Sequence, residues 1–217
     1  MQTAIWILFD TTLGAGCGCG ALHWSYQLLR SRKWQESLPC LAERLLIIAA
    51  ALCGGVIGFC TGGWLPMVSA LAVLFVGIAV AVSDWLCRII PNPTVLAIFA
   101  LKLLLIAGAL LNIPGAPSFG LLSSLGGMVF CFLVFSAPAL MGKQVGAGDI
   151  KLAAAMGFLL GFGGSLLAVA FMGLLILGYS MVQRQMPLLA FLKTDIPMGP
   201  FIAAGMMITC VVPYITL

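Results

Sequence analysis

Apolar residues in this chain fall into long runs, separated by short stretches that are polar or rich in Gly and Pro. Eight apolar segments can be drawn, near 3–28, 45–62, 65–84, 93–112, 119–140, 150–163, 165–183 and 198–216. Most approach the roughly 20 apolar residues that one bilayer crossing needs. Thr61-Gly62-Gly63-Trp64-Leu65-Pro66 reads as a turn, and Ile113 to Ser118 as a loop, because Gly and Pro break helices. Gly161 to Gly164 is a similar break, and the segment before it is short for a full crossing. The pattern predicts an all-α, polytopic membrane protein with about eight transmembrane helices, in a single domain over residues 1–217.

The charges support that count. Arg30, Arg32, Lys33 and Arg44 lie between the first two segments, and Arg88 follows the third. Lys143 follows the fifth, Lys151 opens the sixth, and Arg184 and Lys193 lie between the last two. Eight crossings put all of them on one face and leave the opposite loops without Lys or Arg. The positive-inside rule then places that face in the cytoplasm and both termini outside, in the periplasm of a bacterial inner membrane.

Composition narrows the classes further. Hydrophobic residues make up 63% of the chain and charged residues 7%, far below the roughly 25% of a soluble domain. The net charge of +4 does not imply a nucleic-acid partner, because Lys and Arg sit at segment ends and not on one face. Eight cysteines are scattered without a CxxC pair, and His23 is the only histidine, so no metal site is expected. Met1 to Asp10 lacks the basic start of a signal peptide and reads as part of a retained membrane helix. Gly16, Gly18 and Gly20 are expected to let the first helix pack closely.

The candidate chemistry lies in the few acids: Asp10, Glu36, Glu43, Asp84, Asp149 and Asp195. A carboxylate at membrane depth is costly and usually functional. Asp84 closes the third segment and Asp149 opens the sixth, so both lie at the cytoplasmic edge. Two carboxylates at one site share a proton: one can activate water while the other, protonated, polarises a carbonyl. Gly146 and Gly148 let a loop bend and a substrate backbone approach. Each acid taken alone could instead cap a helix or pair with Arg88 or Lys151.

Together these residues resemble a known family. Gly146-Ala147-Gly148-Asp149 is similar to the GxGD signature of intramembrane aspartyl proteases. Asp84 with Ile90-Pro91-Asn92, Gly146 to Leu152, and Ile196-Pro197-Met198-Gly199-Pro200-Phe201 resemble three elements of type IV prepilin peptidases, in the same order. Glu43 looks like the Glu of a further family element. The resemblance implies cleavage of short basic leader peptides from prepilins or pseudopilins at the cytoplasmic membrane face. It makes Asp84 and Asp149 catalytic, with Gly146, Gly148, Lys151, Arg88, Pro91, Asn92, Gly199, Pro200 and Glu43 supporting. Proteolysis of this kind needs no cofactor. Many family members also methylate the new N-terminal amine with S-adenosylmethionine, for which no residue here argues independently. Longer members bind zinc through paired CxxC motifs in the first cytoplasmic loop; here that loop is short and holds only Cys40.

An ion or solute transporter is the alternative from another class. Asp10 and Lys102 would be its residues, since both lie near mid-membrane. Their equal depth also predicts an ion pair between them.

Overall fold

A computed structural model of the chain describes residues 2–32, 37–60, 64–111, 120–140, 146–182 and 197–215. The described residues are almost wholly helical and contain no strand. The helices are α1 (Gln2–Arg30), α2 (Cys40–Cys60), α3 (Trp64–Cys87), α4 (Asn92–Leu110), α5 (Leu121–Leu140), α6 (Ala147–Val182) and α7 (Gly199–Ile215). Five of them are long and apolar enough to cross a membrane: α2, α3, α4, α5 and α6. α7 is apolar but shorter, and α1 is not among the five. The chain is a multi-pass membrane protein, with five such spans among the described residues where the sequence predicted about eight.

α3 is the central helix. Val73, Val76 and Val80 on one of its faces join a core with α4, α5, α6 and α7. Leu71, Leu74, Ile78 and Val82 on the other join a second core with α1 and α2. Asp84 stands four residues after Val80, so the helical period puts it on the stripe that faces α6 and α7. Arg88 ends the helix in the left-handed region, at φ 51, its N–H donating to the Asp84 carbonyl at 2.9 Å. Pro91, extended at φ −65, ψ 135, then starts α4.

Small residues set the closest helix contacts, as expected where lipid supplies no hydrophobic drive between helices. A Cβ on Gly14 would meet the Ala50 carbonyl oxygen and lie 2.8 Å from the Gly54 Cα, so α1 and α2 touch backbone to backbone. Of the three glycines expected to do this, Gly18 packs on Ala50 and Gly20 on the Phe75 ring, while Gly16 faces open space. Gly127 of α5 meets Gly157 of α6 in the same way.

α6 is 36 residues long, about 54 Å if straight at 1.5 Å per residue, which exceeds one crossing. It is broken at Gly161, where φ is 74 and ψ 179, inside the stretch the sequence marked. Contacts show that the chain doubles back there. Lys102, ten residues into α4, reaches Leu159, ten residues past Asp149, so residues 147–160 run alongside α4. Beyond the break, Gly164 lies near Thr209, Ala168 against Gly205, and Tyr179 against Phe201. Residues 162–182 therefore run antiparallel to α7. The first half, which we call α6a, rises only about 21 Å, short of the roughly 30 Å hydrocarbon core.

The predicted pair of Asp10 and Lys102 does not form. The Lys102 ammonium donates to the Leu159 carbonyl oxygen at 3.0 Å. Asp10 faces α2, where a Cβ on Gly54 would lie 2.6 Å from its carbonyl oxygen, and its Oδ1 is buried without a hydrogen-bond partner. Equal depth put the two residues level, but α1 packs on α2 and α3 while α4 packs on α6 and α3.

Candidate active site

The end of α3 and the starts of α6 and α7 meet at one end of the bundle. Asp84 is buried, at 4% exposure. Its Oδ2 accepts the Gly199 N–H at 2.8 Å. That amide is one of the four at a helix start that find no partner inside the helix. The Met198 carbonyl opens α7 by accepting from Phe201 and Ile202, at 3.1 and 3.0 Å. Gly199 and Pro200 are thus the first helical residues, where proline's fixed φ suits the helix and its missing N–H costs nothing.

Nothing larger than glycine fits at position 199. A Cβ there would lie 2.7 Å from the Asp84 Cβ and 2.9 Å from its Oδ2. The carboxylate therefore rests directly on the backbone at the start of α7. The positive end of that helix adds to the single N–H in favouring a negative charge at Asp84.

Asp149 is half-buried in the first turn of α6. Its N–H donates to the Gly146 carbonyl at 3.0 Å. A Cβ on Gly146 would sit 2.8 Å from the Asp149 Oδ2, so the carboxylate folds back over that glycine. Gly148 packs on Ile90, with a Cβ position 3.3 Å from the Ile90 Cβ. The glycines of the GxGD stretch thus seat Asp149 and dock α6 against the Ile90-Pro91-Asn92 stretch. Asp149 lies within electrostatic reach of Asp84, and Asp84 within reach of Arg88.

The structure brings together Asp84, Arg88, Pro91, Gly146, Gly148, Asp149, Gly199 and Pro200. Pro91 is buried, whereas Arg88, Asn92 and Lys151 are exposed. Glu43 stands at the start of α2. It accepts from the Tyr26 hydroxyl at 2.5 Å, and that hydroxyl accepts the Leu38 N–H at 3.2 Å. The three residues tie α1 to the chain entering α2. Sequence reading missed Tyr26, for which an isolated tyrosine near a helix end gives no signal. Glu36 and Asp195 lie outside the described residues.

An open groove of about 430 Å³ beside the site, lined by Asn92, Pro93, Val95, Leu96 and Phe99, offers neither an acid for a ribose nor a partner for a sulfonium. Those residues do not fit S-adenosylmethionine. Among the described residues no three His, Cys, Asp or Glu side chains gather where they could hold a metal ion.

Residues 70–181, about half of the chain, match the model of a family described as the type IV leader peptidase family. The match spans both Asp84 and Asp149 and stops before Gly199. No curated protein and no solved structure gives a significant match.

Proposed function

Because this chain belongs to the type IV leader peptidase family, we propose that it is a membrane-embedded aspartyl endopeptidase that removes the short basic leader of prepilins or pseudopilins. Asp84 and Asp149 form its acid pair. The observation that carries this reading is the meeting of three stretches far apart in sequence, around residues 84–91, 146–149 and 198–200, at one end of the bundle.

The chemistry follows from the placement. Two carboxylates within reach of each other hold one proton between them more readily than two negative charges. The ionised partner takes a proton from water, which attacks the scissile carbonyl carbon. The protonated partner donates to the carbonyl oxygen as that oxygen gains charge. Collapse of the tetrahedral intermediate passes a proton to the leaving amine and restores the pair. Gly199 occupies Asp84 Oδ2 and leaves Oδ1 for the water. Proteolysis needs no cofactor in this scheme.

The site lies at the end where Arg30, Arg44, Arg88 and Lys151 stand at helix termini, so the positive-inside rule makes it the cytoplasmic end. We extend the reading to the bacterial inner membrane, with both termini periplasmic and with α1, α7 and the two halves of α6 bringing the expected count to about eight. Transport is not favoured, since Asp10 and Lys102 lie apart and neither borders the site. Methylation of the new amine comes only from the family resemblance.

Co-expression with a prepilin, followed by mass measurement of the product's N-terminus, tests the reading. The native chain should yield shortened pilin, and any methyl group would appear as added mass. Asp84→Asn and Asp149→Asn should each leave full-length precursor while the chain still inserts. Normal processing by either variant would remove that residue from the pair.

A further inference from the structure

Lys102 is 1% exposed and lies ten residues into α4, roughly 15 Å from the active end. A charge at such depth costs at least about 2.5–3.5 kcal/mol on insertion scales and marks a function by default. Its ammonium meets the Leu159 carbonyl oxygen at 3.0 Å. In an unbroken helix that carbonyl would accept from the N–H four residues on. Gly161 interrupts the ladder, so α6a ends there with carbonyls to satisfy and a partial negative charge at its terminus. A buried cation answers both needs. Across the break, the Phe162 N–H donates to Ser123 Oγ of α5 at 3.2 Å. The two ends created by the break are therefore held by side chains from different helices.

α6a begins with Asp149 and ends at this break. At that end Lys102 and Ser123 supply the contacts that locate it. Gly127 and Gly157 bring α5 close with no side chain between, which permits sliding, and the lysine supplies a directional bond. We propose that Lys102 is a positioning residue for the acid pair: by capping the carbonyl end of α6a, it sets the depth and angle at which that half-helix presents Asp149 to Asp84. This rests on the peptidase reading. It gives α4 a role in catalysis although the lysine lies about 15 Å from the reacting atoms.

Three variants test it: Lys102→Met, Lys102→Gln and Lys102→Arg, purified in detergent with a prepilin as substrate. Misplacing a reacting group by about 1 Å costs up to roughly a hundredfold. Lys102→Met should therefore lose about tenfold or more in kcat, with KM near the native value and with a cooperative melt retained. Lys102→Arg should recover most of the loss. If Lys102→Met fails to accumulate, Lys102→Gln is read by the same criterion, because its shorter neutral amide would draw α6a out of place. Native kcat in whichever neutral variant folds would overturn the proposal. So would failure of both to accumulate, which would make Lys102 a folding residue.

A readout independent of cleavage separates this idea from the peptidase reading. Spin labels at the exposed positions Trp85 and Ala147, on a chain whose accessible cysteines are replaced by serine, report the spacing of the two acid-bearing helix ends. That spacing should shift or broaden in Lys102→Met and return in Lys102→Arg. An unchanged distribution would sink the proposal whether or not the chain cleaves. Absence of cleavage by the native chain would count against the peptidase reading alone.

Discussion

Gly199→Ala is the smallest change that should disable the site. The added Cβ would stand 2.7 Å from the Asp84 Cβ and 2.9 Å from its Cγ and Oδ2. Carbon atoms rest at about 3.5–4.0 Å, so the start of α7 and Asp84 must part by roughly 0.8 Å. The bond from Gly199 to Oδ2, now 2.8 Å, would stretch to roughly 3.6 Å, beyond a useful hydrogen bond. Asp84 then loses its amide partner and its place together. Overpacking of this kind costs about 1–3 kcal/mol of stability, and a displacement near 1 Å costs about a hundredfold in rate. Purified native and variant chains should be compared for kcat on a prepilin and for thermal melting. Gly148→Ala is the internal control, because its nearest neighbour is the Ile90 Cβ at 3.3 Å and a few tenths of an ångström would relieve it. It should lose less than about tenfold. A folded Gly199→Ala chain with kcat within about threefold of native would refute the reasoning, because the amide contact would then have no part in catalysis.

Other outcomes follow from neighbouring features. Arg88→Gly should raise the melting temperature by about 2–8 °C, because a non-glycine residue in the left-handed region costs about 1–2 kcal/mol; Arg88→Ala, which keeps the Cβ, should not, and equal melts for the two would contradict this. Tyr26→Phe should destabilise the chain by about 1–2 kcal/mol through loss of its bonds to Glu43 and Leu38, leaving kcat per folded molecule unchanged; a lowered kcat would tie Glu43 to the reaction. Cleavage should survive EDTA, and loss of activity restored by zinc would refute that.

Much of the site can be read from the sequence because charge is scarce in it. With six acids in 217 residues, two that sit at segment ends stand out, and glycines beside one of them narrow the chemistry. The helical runs and the break near Gly161 are equally visible, since apolar length and Gly clusters are local properties. The reversal at that break is legible too, because eight crossings with the flanking Lys and Arg on one face require the chain to turn back there. The partner of Lys102 was hidden. Depth alone offered Asp10, whereas a broken helix supplies acceptors that carry no side-chain signature. The bond of Glu43 to Tyr26 was hidden as well, because it depends on how α1 meets α2.

The contact between Asp84 and Gly199 has a consequence for biosynthesis. The two residues are 115 positions apart. At about 5–20 residues per second of translation, Asp84 leaves the ribosome roughly 6 to 23 s before its amide partner is made. Throughout that interval the growing chain holds at most an unsupported acid pair. α7 is the helix that completes the Asp84 environment. Activity therefore waits on the synthesis and docking of α7, and a chain truncated before it would insert without gaining activity.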